Sequence, residues 1–213
     1  MSSGPAARGG EDRVVRVLQA LGGEVERAPR LLAFLELVST WNLKMDLTAA
    51  RNPDELADLM LADAVVLARH LPKGARGVDV GSGAGAPGVP LALLRPDLRL
   101  TLVEPLQKRV SFLRTAVGSL VQVSEERPRV LRSKGEDVRD GGERFDVALS
   151  RATLAPPAWL ELGASLASGE VWVLLAKDEP PELPGWEPTL DERYAWPLTG
   201  AQRRVVRYQA RLA

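Results

Sequence analysis

Val78-Asp79-Val80-Gly81-Ser82-Gly83-Ala84-Gly85-Ala86-Pro87-Gly88 is the stretch that decides the fold. Val78 to Val80 reads as a buried strand, and four glycines (Gly81, Gly83, Gly85 and Gly88) follow within eight residues before the helix-like run Val89–Leu94. Glycine reaches positive φ and carries no Cβ, so such a turn brings backbone N–H groups close to a ligand. A tight turn with no ligand is the alternative. It accounts poorly for a glycine density that weakens folding unless the space is used.

Downstream, strand-like runs at Leu98–Glu104, Arg129–Leu131, Phe145–Ser150 and Glu170–Ala176 alternate with helix-like runs at Gln107–Leu120 and Ala158–Ala167. With Gly77–Val80 as the first strand, this rhythm predicts a mostly parallel sheet covered by helices on both faces, an α/β fold. Arg203–Leu212 alternates residue by residue with no helix after it, as a last antiparallel strand would, hairpinned with Tyr194–Leu198. Pro180–Pro188 reads as a connector. Upstream, Glu11–Leu71 has helical spacing only. Leu31, Leu32, Leu35 and Val38 form one stripe, ending near Trp41-Asn42. Asn52-Pro53-Asp54-Glu55 is a helix start whose apolar side carries Leu56, Leu59, Met60, Ala64, Val65 and Leu67, and Pro72-Lys73-Gly74 ends it. The expected organisation is residues 1–10 without fixed structure, 11–74 a small helical cap, and 75–213 the ligand-binding domain.

Composition narrows the chemistry. The chain has no cysteine and a single histidine, His70, which argues against disulfides, thiolate chemistry, a histidine-rich metal site or a histidine triad. No metal is expected. No apolar run approaches a bilayer span, and Met1–Gly10 lacks the apolar core of a secretory signal, so the expected location is the cytoplasm. Twenty-eight basic and 28 acidic residues cancel, so a polyanion would have to be held by a local patch.

Gly83-Ala84-Gly85-Ala86-Pro87-Gly88 fits the dinucleotide pattern, with Glu104 near the distance of a ribose ligand. Asp79 argues for another cofactor. A carboxylate just ahead of the loop would repel a pyrophosphate and attract the ammonium and sulfonium of S-adenosylmethionine. Gly81, Ser82, Gly83, Gly85 and Gly88 are then the loop that holds the cofactor. Glu104 is placed to accept from both ribose hydroxyls, or else is an exposed strand-end acid. Glu136 and Asp137, after the third strand, could border the adenine or be solvated turn residues.

At this point the residues resemble the bacterial glucose-inhibited division protein B group, which methylates N7 of a guanine in small-subunit ribosomal RNA. The resemblance rests on Trp41–Thr48, Asp79–Pro90, Leu102–Arg114 and Phe145–Ala152, in that order, within the span from about Leu31 to Lys177. It implies a Rossmann-like methyltransferase sheet with an antiparallel last strand, a small N-terminal helical domain and an S-adenosylmethionine site at the glycine loop and Glu104. It also implies that Arg151 lies beside the methyl group and target base, and that Lys177 stands at the end of the fifth strand facing substrate. Read from the residues alone, Arg151 could instead pair with an acid and Lys177 could cap its strand. The chain departs from the group's pattern at Asp46, at Leu59-Met60-Leu61-Ala62-Asp63-Ala64, where only the aspartate is kept, at Ala86, and at Asp178, where glycine is usual.

Missing motifs point the same way. Methylation at pyrimidine C5 commonly uses a cysteine, and exocyclic-amine methylases usually carry Asp/Asn-Pro-Pro-aromatic where this chain has Ser150-Arg151-Ala152-Thr153. Guanine N7 offers a lone pair in the neutral base and needs only alignment. Ribosomal RNA or the small ribosomal subunit is the expected partner, the chain itself a monomer. Arg203, Arg207 and Arg211 fall on one strand face, opposite Val206, Tyr208 and Leu212, as a phosphate-binding row or a solvated face. Lys108, Arg109 and Arg114 form a second candidate patch. His70, near a helix end, reads as a surface residue. A methyltransferase of the same fold acting on a small molecule or another nucleic acid, and a protein that binds cofactor or RNA without turnover, remain the alternatives.

Overall fold

The computed structural model describes residues 5–122 and 124–211. Helix α1 (Pro5–Leu21) includes Pro5–Gly10, which the sequence left without fixed structure; residues 1–4 of that stretch lie outside the described residues. Val14, Val17, Leu18 and Leu21 recur at the spacing of one helix face, and all are buried. Helix α2 (Ala28–Asn42) buries Leu31, Phe34, Leu35 and Val38. A continuous helical stretch follows as α3 (Pro53–Ala57), a π-helical turn (Asp58–Ala62) and α4 (Asp63–His70). Asn52 caps it as expected, its side-chain oxygen accepting from the Glu55 N–H at 2.9 Å.

The alternating half comprises β1 (Arg76–Val80), α5 (Gly88–Leu94), β2 (Arg99–Val103), α6 (Gln107–Leu120), β3 (Arg129–Leu131), α7 (Gly135–Asp140), β4 (Phe145–Ser150), α8 (Pro156–Leu166), β5 (Ala167–Leu175), β6 (Trp186–Ala195) and β7 (Gln202–Ala210). They form one sheet of order β3-β2-β1-β4-β5-β7-β6. β1 to β5 are parallel, and β7 runs antiparallel to both neighbours. The order reverses between β1 and β4, whose last residues Val80 and Ser150 are in register. Ligands bind at such a switch point, outside the carboxyl ends of the strands.

Strand alternation builds two cores. Leu100, Leu102, Val147, Leu149, Trp172 and Val205 face the N-terminal helices together with α5 and α6, while Val78, Val80, Ala148, Val171, Val173, Val206 and Tyr208 face α8. The N-terminal helices therefore share one continuous core with a sheet face. Beyond the expected elements, α7 is a helix where a turn was expected. β6 begins at Trp186, inside the stretch read as a connector. Leu212, assigned to the last strand, lies outside the described residues.

Asp58 joins the two halves. Its carboxylate is fully buried and accepts from the Leu198 N–H, the Thr199 N–H and the Thr199 hydroxyl, fastening the helical stretch to the β6–β7 turn. Burial pushes its pKa up, against the pull of those donors. Asp58→Ala strands several donors, and should cost about 1–3 kcal/mol of stability by denaturant unfolding. An unchanged midpoint would show that the turn is held by something else.

Candidate functional site

The glycine loop folds back on the end of β2, where the Gly81 and Ser82 N–H groups both donate to the Val103 carbonyl at 2.8 and 3.1 Å. Gly81 has φ +74°, and a Cβ there would stand 2.1 Å from the Thr153 hydroxyl oxygen. At Gly88 a Cβ would stand 2.6 Å from Asp79 Oδ2. Both positions require glycine because a neighbouring chain segment occupies the side-chain space.

Asp79 is 1% exposed and lies beneath the loop, out of the open cleft where the sequence reading had its carboxylate meet a ligand. Oδ2 accepts from the Gly88 N–H at 3.1 Å, holding the amino end of α5, and Oδ1 has no partner among the described residues. Burial pushes the pKa up to about 7, against the nearby Ser82 hydroxyl, which donates to the Asp79 backbone carbonyl at 2.9 Å, the hydrogen bond from Gly88 and the charge of Arg151. An unpartnered carboxylate oxygen under the floor of a cleft suits a cationic ligand above it.

Glu104, 2% exposed, follows β2. Oε2 accepts from the Gly83 N–H at 3.0 Å and Oε1 from the Leu106 N–H at 2.9 Å. It thus pins the loop while lining the cleft, and each oxygen keeps acceptor capacity for a hydroxyl. The cleft encloses about 570 Å³ between Gly81–Ala84, Glu104–Leu106, Arg109, Arg151–Thr153 and the segment Leu47–Ala49. Asn42, a residue the sequence reading gave no role, builds that last wall: its side-chain oxygen accepts from the Leu47 and Thr48 N–H groups at 2.8 and 3.0 Å.

Arg151 stands at the centre. Its guanidinium donates to the Leu59 carbonyl and, at 3.3 Å, to Asp63 Oδ2. It lines both the cleft and a second cavity of about 240 Å³, and Leu59 and Ala152 complete the shared wall. The π turn widens the helix at the residue whose carbonyl takes this arginine. Ala152, at φ +55°, holds a left-handed conformation uncommon for a residue with a Cβ, and Thr153 then folds back to donate to the Val80 carbonyl at 3.2 Å. Asp63 is 3% exposed, and its Oδ1 accepts from the Tyr194 hydroxyl at 2.8 Å and the Trp196 ring N–H at 3.0 Å. Burial, then the charge of Asp63, drives the Tyr194 pKa up, so the phenol remains a neutral donor. Tyr194 and Trp196 were read only as strand residues; two aromatics with polar tips on one strand face were the available signal.

Other expected site residues scatter. Gly85 and Gly88 shape the turn without lining the cleft, whereas Gly81, Ser82 and Gly83 line it. Asp137 accepts from the Lys134 N–H at 3.2 Å and so caps α7, and Glu136 on the same helix is exposed; neither lines the cleft. Lys177 is exposed just past β5. Arg203 and Arg207 of β7 and Arg211 just after it do not form a free basic row. Val205 between them is buried, Arg203 lies over the Trp196 ring at 3.7 Å, Arg207 meets Glu170 at 3.4 Å and Arg211 meets Glu187 at 3.6 Å. Of the second patch, Arg109 lines the cleft while Lys108 and Arg114 face solvent. His70, expected at the surface, bonds Glu192 at 2.8 Å and stacks on Trp172. Among the described residues no three metal-ligating side chains gather, and no helix is long and apolar enough to cross a membrane.

A model of the family described as rRNA small subunit methyltransferase G matches residues 27–182. A ribosomal RNA small subunit methyltransferase G from Anaeromyxobacter dehalogenans is 34% identical over 205 residues, 91% of this chain and 94% of its own. One from Myxococcus xanthus is 32% identical over 206 residues, 92% of this chain and 94% of its own. Among solved structures, an O-methyltransferase from Bacillus cereus in complex with SAH aligns with TM-score 0.59 at 15% identity, covering 84% of this chain and 91% of that one. At that identity the likeness shows the fold, a Rossmann-like methyltransferase sheet. With the family match spanning most of its length, this chain belongs to the rRNA small subunit methyltransferase G family.

Proposed function

We propose that this chain transfers a methyl group from S-adenosylmethionine to N7 of a guanine in small-subunit ribosomal RNA. The observation that carries this reading is Arg151, one guanidinium lining both the glycine-loop cleft and the smaller cavity beside it. A cofactor in the first and a base in the second would share that wall. S-adenosylmethionine supplies, when bound, an electrophilic methyl group.

The chain's own residues hold and orient. The loop Gly81–Gly83 and Glu104 take the ribose side, Glu136 is left to border the adenine, and Asp79 provides negative charge under the ammonium. Guanine N7 already carries its lone pair, so no general base is required. That suits a chain whose single histidine, His70, lines neither cavity and is engaged by Glu192 and Trp172. Arg151 fixes the base against the cleft, and alignment of two reactants is worth roughly 7–11 kcal/mol in favourable cases. Lys177 and Arg203 are the cations best placed for RNA phosphate, since Arg207 and Arg211 already meet carboxylates. Calorimetric titration tests the cofactor assignment: S-adenosylhomocysteine should bind and NAD should not, and the reverse result would sink it.

The raised pKa of Asp79 adds a pH signature. An acid raised from 3.8 to about 7 is protonated in the native state where the unfolded chain is already ionised. Its contribution therefore makes the free protein less stable as pH rises from about 4 through about 7, with no further change above. A cation bound above it favours the ionised form, so binding should release a proton. The S-adenosylhomocysteine dissociation constant should fall about five- to tenfold between about pH 6 and 7.5, with the dependence flattened in Asp79→Asn. A pH-independent wild-type constant would contradict the role given to Asp79.

A further inference from the structure

The smaller cavity carries more information about its occupant than its size. Its walls are largely apolar, from Leu59, Leu154, Pro156 and Leu174, with a partly exposed Leu154 at the rim. This is a slot suited to the faces of a planar ring. Its polar groups are mostly committed. Asp63 accepts from Arg151, Tyr194 and Trp196, and the Arg203 guanidinium lies over the Trp196 ring and donates to the Gln202 carbonyl at 2.7 Å. Asp178 is the exception. It lines this cavity and not the cleft, is exposed, and among the described residues no hydrogen bond or ion pair engages its carboxylate.

A free carboxylate at the mouth of a site for a polyanion repels phosphate. It matches a base edge that presents donors instead. Guanine has two adjacent donors, N1–H and the N2 amino group, on the side of the purine away from N7. Adenine and cytosine each offer one amino group on that edge. With N7 turned toward the wall shared with the cleft, the two-donor edge faces the part of the cavity that the cleft does not share. We infer that Asp178 is a specificity-determining residue that reads the N1–H and N2 amino edge of the target guanine, through a contact that also holds N7 toward Arg151. This rests on the guanine-N7 reading above.

The test compares nucleotides differing by that amino group. GMP, IMP and AMP are titrated by NMR into wild type and Asp178→Ala, each saturated with S-adenosylhomocysteine. Because Asp178 is exposed and outside both cores, the variant should keep its fold and its S-adenosylhomocysteine affinity. Wild type should hold GMP about tenfold more tightly than IMP or AMP, as a charge-assisted hydrogen bond would give. Asp178→Ala should bring the three together. Equal binding of GMP and IMP by wild type, binding of none, or a preference that survives Asp178→Ala overturns the inference. Methylation of small-subunit RNA is scored separately on the same preparation. Its absence in wild type would remove the RNA reading while the nucleotide titration still decides the role of Asp178.

Discussion

Arg151→Ala should lower single-turnover methyl transfer by about 10²–10³-fold, the usual loss when one preorganised donor is removed from a reacting centre. Cofactor affinity should change far less, because the loop and Glu104 remain. One guanidinium nitrogen, Nη1, donates to both the Leu59 carbonyl and Asp63, so its position is fixed before any substrate arrives. Arg151→Lys should rescue poorly, since an ammonium cannot reproduce a planar fork shared between an acid, a carbonyl and a base. Removing the arginine also leaves the Asp63 carboxylate buried with only Tyr194 and Trp196 as donors. The unfolding midpoint must therefore be measured beside the rate, so that lost turnover is separated from lost fold. Normal turnover in a folded alanine variant would show that another residue sits at the centre of the site.

Glu104→Ala should raise the S-adenosylhomocysteine dissociation constant about 10- to 100-fold, corresponding to hydrogen bonds to a charged acceptor of roughly 1.5–3 kcal/mol. Two losses combine. In the proposed binding mode the ribose hydroxyls lose their acceptor, and the Gly83 and Leu106 N–H groups lose the carboxylate that sets the loop and the start of α6. Glu104→Gln separates them, because an amide keeps one acceptor oxygen but lacks the charge and turns an NH₂ toward one of two backbone donors. It should fall between wild type and alanine. An unchanged constant in both variants would leave Glu104 with a purely local role.

Local patterns carried most of the fold. β1, β3, β4 and α6 lie where apolar runs and spacing placed them: β1 and β4 are short, almost continuously buried runs, α6 buries Val110, Phe112, Leu113, Ala116 and Val117 at helical spacing, and β3 is a three-residue strand without a fully buried side chain. α7 was hidden: its six residues bury only Gly135 and Val138, too few to show a helical period. β6 was half hidden because it is an edge strand, mostly exposed, with Pro188 inside it. The site divides in the same way. Asp79 lies near the end of β1, and Glu104 and Arg151 just after β2 and β4, each beside a recognisable turn, so short motifs single them out as candidates. The network of Asp63 with Tyr194 and Trp196 joins residues more than 130 positions apart, and the alternation of Tyr194 and Trp196 marks two polar-tipped aromatics without pointing to their acid partner. The β7 arginines fail for a related reason. Alternation places them on one face, but whether that face is free depends on Glu170, Glu187 and Trp196, which only the folded sheet brings beside them.

The central claim is methyl transfer to a guanine N7 of small-subunit ribosomal RNA, and mapping N7-methylguanosine in that RNA tests it most directly. RNA is taken from cells carrying the gene, from cells lacking it, and from cells lacking it but supplied with Arg151→Ala. One N7-methylguanosine should be present in the first, absent in the second, and absent or strongly reduced in the third. Purified protein with S-adenosylmethionine should restore it to small subunits from the second. An identical map in all three, with no transfer by the purified protein, would contradict the account.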